Sequence, residues 1–399
     1  MKHFNYSALT VAVALACGSM QAMAADSITE ALTGGKAYGD FRLRYESVEQ
    51  DNALEDAEAL TLRSRLGYVT DTIAGFSATL EFEDSRVVAG MDEYEAYPTA
   101  PVKEYSVIAD PETTEVDQAF LQYKAGMFTT KLGRQVLTFD NQRFIGHVGW
   151  RQDRQTFDAA TFTVAPTDSL SITYSYLDQR NRILAEDGDI NSEDHLLNAS
   201  FKTSLGTLSG YSYLLETYDT GAELDTYGVR FAGGTSGDGV NFVYELEYAT
   251  QETGGGATDF DADYYTVVGG VVISGITAKL GYEVLGSDDG DYGFSTPLAT
   301  GHAFNGWADI FLGTPKEGLE DLYVSVGGKI GPGALTVIYH EFTANEASAT
   351  VDDLGSEVDV VYGMKFGKNY NAGIKYAAYS ADDYAVDTDK IWLWVGASF

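Results

Sequence analysis

The feature that most constrains the fold is a side-chain alternation of period two that begins near Lys36 and runs to the last residue. In Phe41-Arg42-Leu43-Arg44-Tyr45 the apolar side chains share one face and the arginines the other, because successive residues of an extended segment point to opposite sides of the pleat. Leu60 to Tyr68 repeats the device with Arg63 and Arg65, and Phe76, Ala78, Leu80 and Phe82 stand against Ser77, Thr79, Glu81 and Glu83. The same separation recurs in Phe242 to Tyr248, Ile276 to Val284 and Val358 to Phe366. Such a chain is all-β. The connections decide which kind of sheet it builds. Short links at Asp71 to Ala74, Ala125 to Gly126, Pro166 to Asp168, Ser204 to Gly206, Gly331 to Pro332 and Lys368 to Asn369 trade places with longer ones. The longer ones run from Glu49 to Ala57, Val87 to Thr113, Thr138 to Gln155, Arg180 to Glu193, Gln251 to Ala262, Gly286 to Leu319 and Ala344 to Ser356. Tight turns at one end and long loops at the other mark a transmembrane antiparallel β-barrel, in which closure pairs every edge that lipid would leave unsatisfied. Counting on that rule gives about eighteen strands, with both termini on the periplasmic side. Even parity requires that Phe304 to Thr314, FNGWADIFLGT, belong to the loop Gly286 to Leu319 as a short helix or an inward-tucked segment, although it reads like a strand.

The N-terminus sets the compartment. Lys2 and His3 precede an apolar run from Ala8 to Ala16, and Ala22-Met23-Ala24 offers a small-x-small cleavage site, so residues 1–24 read as a secretory signal peptide and 25–399 as one barrel domain. Cys17, the only cysteine, leaves with the signal, and Ala14 three places before it argues against lipidation. After the signal no apolar run approaches the roughly 20 residues of a membrane helix, which excludes a helical inner-membrane protein. The chain ends on Phe399, with Ile391, Leu393, Val395 and Ala397 on one face and Trp392 and Trp394 on the other. That ending resembles the signal read by the barrel-insertion machinery, an expected partner.

One stretch lacks the alternation. Gly133 to Ala159, GRQVLTFDNQRFIGHVGWRQDRQTFDA, packs Arg134, Arg143, Arg151 and Arg154 among glycines and aromatics. A plain connector has no use for Phe139, Phe144, Ile145 and Trp150, so Thr138 to Gln155 is expected to fold into the pore; the alternative is a packed surface loop with arginines paired to Asp140, Asp153 and Asp158. After Arg182 only Arg230 remains, while Arg42, Arg44, Arg63 and Arg65 on the first two strands are expected to point inward beside the loop, making one basic wall. A solvated pair of charges about 4 Å apart gains only ~1 kcal/mol in water, so selectivity would need several guanidiniums at a partly desolvated constriction. The competing arrangement pairs them with Glu81, Glu83, Glu245 and Glu247, giving the mixed lumen of a general diffusion porin.

Gly133-Arg134-Gln135, Asp140, Arg143-Phe144, Trp150-Arg151-Gln152 and Phe157-Asp158-Ala159, with the strand count, resemble the alginate export family of outer-membrane channels. A second block, Phe304 to Asp309 and Gly318 to Asp321, is similar to it. The resemblance implies a monomeric barrel whose inward loop and arginine-lined constriction pass a polyuronate, with Arg134, Arg143 and Arg151 at the constriction, Arg154 between matching positions, and Asp140 and Asp158 as partners. Two departures stand out: the chain is strongly acidic, and it has no long periplasmic turns to dock export machinery. A stand-alone uptake or diffusion channel on the same plan is thus also open.

The net charge is -35 and falls mostly on the long loops, as in Glu49 to Glu58, Asp92 to Glu104 and Asp288 to Asp291. A solvated surface or divalent bridging to lipopolysaccharide fits it; nucleic acid, a polyanion, is excluded as a partner. No nucleophile elbow, zinc-protease or phosphate-loop motif is present, and no enzyme activity or cofactor is expected. Asp259-x-Asp261-x-Asp263 opens like a calcium loop, but Tyr264 replaces its glycine and Gly270 its bidentate glutamate, so no metal is expected there. The reading is a passive outer-membrane channel, set in lipid and lipopolysaccharide, favouring anionic oligo- or polysaccharide, alginate first. The alternatives are a weakly selective general porin and an adhesin-like barrel acting through its acidic loops.

Overall fold

Every alternating segment becomes a strand of one sheet. The computed structural model describes residues 25–399; the expected signal peptide at 1–24 lies outside them. After a short helix α1 (Ala25–Thr33) come β1 (Lys36–Gln50), β2 (Ala57–Val69), β3 (Phe76–Glu93), β4 (Thr113–Ala125), β5 (Phe128–Gln135), β6 (Thr156–Thr167) and β7 (Leu170–Asn181). They are followed by β8 (Ile190–Lys202), β9 (Gly206–Thr217), β10 (Ala222–Gly234), β11 (Asn241–Gly254), β12 (Asp261–Ile273) and β13 (Ile276–Leu285). Two short strands, β14 (Ser287–Asp288) and β15 (Tyr292–Gly293), precede β16 (Leu319–Ile330), β17 (Gly333–Thr343), β18 (Asp353–Phe366), β19 (Tyr370–Ser380) and β20 (Thr388–Ser398). All but β14 and β15 form one 18-stranded antiparallel sheet, and β1 also pairs with β20, Asp40 opposite Ser398 and Gln50 opposite Thr388. The sheet is a closed barrel. β14 and β15 form a hairpin within the β13–β16 connection, and Phe304 to Thr314 lie in that connection with no strand of their own. Four loop bounds shift: β3 continues to Glu93, β8 starts at Ile190, β11 continues to Gly254, and β18 starts at Asp353.

Apolar side chains lie on both sides of the barrel wall. Leu66, Leu80, Leu121, Phe162, Leu246, Leu280, Val326 and Leu393 are exposed on the outer wall, whereas Phe157, Leu177, Tyr264, Phe342 and Trp392 are buried inside. Lipid accepts the first set at no hydrophobic cost. Tyrosines mark the two ends of that band. Near the tight turns, Tyr68, Tyr244 and Tyr362 donate to the carbonyls of Leu32, Leu205 and Ile330. Towards the long loops, Tyr248, Tyr282, Tyr339 and Tyr376 donate to Asp263, Glu320, Glu341 and Asp389. An amphipathic ring with its hydroxyl in a polar layer is the side chain such an interface favours.

The buried apolar residues inside the barrel, from Phe157 on β6 round to Trp392 on β20, are covered by long connections folded inward, which contribute Leu137, Phe144, Ile145, Phe294, Leu298, Trp307 and Phe311. A third connection, residues 94–112, also turns in, seating Ile108 on Val48, Ala57 and Ala59.

Candidate functional site

The segment 136–155 starts where β5 stops and crosses the lumen. Its first anchors are backbone contacts with the β13–β16 connection: Gly146 N donates to Leu298 O at 2.8 Å, and Thr300 N to Gln142 O at 3.0 Å. Gln155 Nε2 closes the joint on Gly146 O at 2.8 Å and Leu298 O at 3.2 Å. Glycine is required at 146, because a Cβ there would overlap the Thr300 hydroxyl and lie 2.8 Å from Thr300 N. Asp140, Gln142 and Val148 in one segment and Asn305 and Asp309 in the other have positive φ. A β-branched residue such as Val148 adopts that region only when its surroundings over-determine it.

Side chains then fasten the segment to the wall. Arg143 Nε pairs with Glu283 of β13 at 2.9 Å, while its Nη2 donates to Asn305 Oδ1 at 2.9 Å. Arg151 spans from Glu46 of β1, at 3.0 Å, to Asp309 of the opposite connection, at 2.9 Å. Arg154 pairs with Glu81 and, at 2.6 Å, with Asp117. Arg44 pairs with Asp110 of the third inward segment and with Glu46 at 3.2 Å; Arg65 pairs with Glu83, and Arg63 with Asp40. Charges buried to this degree hold a geometry more than they add net stability, and losing one partner strands the other.

Arg42 differs. It donates to Gln152 Oε1 at 3.0 Å and to the carbonyls of Trp150 and Arg151 at 2.6 and 2.7 Å, and among the described residues it has no carboxylate partner. Trp150 is the centre of this arrangement. It stacks on His302 at 4.8 Å and meets Trp392 and Trp394 edge-on at 5.7 Å, with Arg44 5.2 Å and Lys375 Nζ 4.1 Å from its ring centre. Lys375 also lies 4.0 Å from Trp307 and donates to His302 Nε2 at 2.9 Å. His302 must then carry its proton on Nδ1, 2.7 Å from Asp309. Burial, with help from the charges of Lys375 and Arg151, pushes His302 down to about 3 against the opposing pull of Asp309. Elsewhere, burial followed by Glu115 and Glu83 pushes Asp153 up to about 10.

Two expected site residues are placed elsewhere. The β4–β5 and β5–β6 registers set Leu121, Leu132 and Ala160 in one row and Ala119, Arg134 and Asp158 in the next outward row. Arg134 therefore shares the lipid-facing side with Leu121 and Phe162, and holds Asp158 there in a two-pronged pair at 2.8 and 3.1 Å. The reason is parity: β5 keeps period two through Gln135, so Gly133 and Gln135 take the inner positions and Arg134 the outer one. Asp140 is inside but accepts from Asn198 at 2.8 Å and Ser209 at 2.5 Å, with no arginine salt bridge among the described residues. Asp110 and Lys375 carry no signal in the sequence that would bring them to this site, where Asp110 accepts from Gln152 N at 2.8 Å and Lys375 donates to His302; Gln152 stands in the Trp150-Arg151-Gln152 run.

Beneath the segment, against β11 to β17, lies a cavity of about 210 Å³ whose lining includes Asn141, Glu245, Glu283, Trp307, Tyr323 and His340. Its lining mixes acidic, basic and aromatic side chains.

The family model for alginate export matches residues 36–284. No curated protein matches the chain in sequence. Among solved structures, OccAB4 of Acinetobacter baumannii is similar over 92% of this chain and 98% of its own, with a TM-score of 0.72 and 14% identity. OccK9 (OpdG) of Pseudomonas aeruginosa is similar over 92% and 99%, at 0.70 and 15%. OpdK of Pseudomonas aeruginosa, solved with vanillate, is similar over 91% and 98%, at 0.71 and 13%. At such identities the likeness is one of fold.

Proposed function

Because the chain belongs to the alginate export family and is built as an outer-membrane channel, we propose that it passes anionic saccharides, alginate or its oligomers, through a lumen narrowed by the segment 136–155. The observation that carries this reading is the seat of Trp150: a ring face inside the barrel, flanked by Arg42, Arg44 and Lys375. A uronate carboxylate finds positive charge at Arg42, which has no carboxylate partner among the described residues. Passage along several weak sites lets a ligand leave as readily as it enters.

A second reading has its own support. The other expected constriction arginines, Arg44, Arg63, Arg65, Arg143, Arg151 and Arg154, are neutralised by carboxylates, which favours a weakly selective diffusion porin. Zero-current potentials in planar bilayers across a salt gradient separate the two. The first reading expects anion preference, reduced in Arg42→Ala, and current blockade by oligouronates that neutral oligosaccharides of equal length do not produce. Cation preference, or equal blockade by both sugars, contradicts it and leaves the porin.

A further inference from the structure

Where segment 136–155 rejoins the wall at β6, three carboxylates converge, and of the three only Glu83 forms a salt bridge among the described residues, to Arg65. One oxygen each from Glu83 of β3, Glu115 of β4 and Asp153 of the segment lie within 4.8 Å of one another. Asp153 is fully buried: Oδ2 accepts the Ala185 backbone N–H at 3.2 Å, Oδ1 has no hydrogen-bond partner among the described residues, and the carboxylate lies against Glu115 and Glu83. An unpartnered buried carboxylate oxygen is costly, so something is expected to satisfy it. The nearby arginines are already engaged, and the Arg154 backbone N–H donates to Glu83 Oε1 at 3.2 Å. Arg154 holds Glu81 and Asp117, and Arg65 holds Glu83 with Asp117 3.8 Å away. Five carboxylates thus face two guanidiniums in this corner of the lumen.

We propose that Glu83, Glu115 and Asp153 bind a hard divalent cation, calcium or magnesium. The donor set is all oxygen, with neither the imidazole nor the thiolate that zinc or copper selects. Three oxygens within 4.8 Å of one another suit a calcium ion at about 2.3–2.6 Å from each, with water completing its six to eight ligands. The ion ties three elements together: the barrel wall through Glu83 and Glu115, the crossing segment through Asp153, and the β7–β8 connection through the Ala185 N–H that Asp153 accepts. It is a clasp for the segment, independent of what the channel passes.

Calorimetric titration of calcium chloride into the EDTA-treated, detergent-solubilised barrel tests this. One tight site per chain is expected, weakened tenfold or more in both Asp153→Asn and Glu115→Gln and unchanged in Asp289→Asn on an outer loop. Heat-modifiable electrophoretic mobility verifies that each variant is a folded barrel. If Asp153 and Glu115 instead share a proton, the folded wild type shows no tight site. That result overturns the proposal, as does a tight site that survives in both carboxylate variants.

Discussion

At the scale of single residues, the arginines that distinguish this sequence act first as fasteners. Arg143 is buried between Glu283 and Asn305. Removing it strands a buried carboxylate, so Arg143→Met is expected to weaken docking of the segment by about 3–5 kcal/mol. The readout is larger, noisier single-channel current from a barrel that still folds; conductance identical to wild type would mean that Arg143 does not hold the segment. His302 sets a pH dependence. Its docked pKa of about 3 lies below the ordinary 6.5, so the docked form resists protonation. Its contribution is fully present above pH 6.5 and declines as pH falls from there towards 3. Channel noise is expected to rise over that window, and less steeply in His302→Gln. What a linear sequence discloses about residues follows from this. Arg143, Arg151 and Arg154 were legible as a cluster because arginine is scarce beyond Arg182, but their partners Glu283, Asp309 and Glu81 are 140, 158 and 73 positions away. Arg134 was misplaced inside because its neighbours in sequence suggested the loop, whereas the unbroken parity of β5 assigned it to the lipid side.

At the scale of elements, the strands were legible because each carries its own instruction: period two with one face apolar, ended by a tight turn. The inward segments carry no period, and only their buried-type side chains, Phe144, Ile145, Trp150, Trp307 and Phe311, hinted that they are covered. Residues 94–112 escaped notice because acidic groups surround Ile108, whose burial depends on Val48, Ala57 and Ala59 of two other strands. Contact between the two larger segments is close enough that a single side chain should separate them. Gly146→Val places its Cβ against Thr300, and overpacking of this kind costs about 1–3 kcal/mol. Faster proteolytic nicking within 136–155 in folded, membrane-inserted protein is expected; a wild-type cleavage rate would show that the joint is looser than the 2.8 Å Gly146 to Leu298 hydrogen bond implies.

At the scale of the whole molecule, the barrel and its contents divide the work. Eighteen strands, closed by β1 against β20, satisfy the backbone in lipid, and the apolar outer wall supplies the stabilising contact with the bilayer. The interior is free to be polar, charged and crowded; most of its arginines are paired with carboxylates, while acid is in excess at Glu83, Glu115 and Asp153 and Arg42 beside Trp150 lacks a carboxylate partner among the described residues. The central claim is that segment 136–155 crosses the lumen and sets the passage. It is tested most directly by single-channel conductance of a variant in which residues 141–151 are replaced by a short Gly-Ser linker, recorded beside wild type in the same bilayer. A several-fold larger conductance with ion selectivity flattened is the expected result; a conductance and reversal potential unchanged from wild type would contradict it.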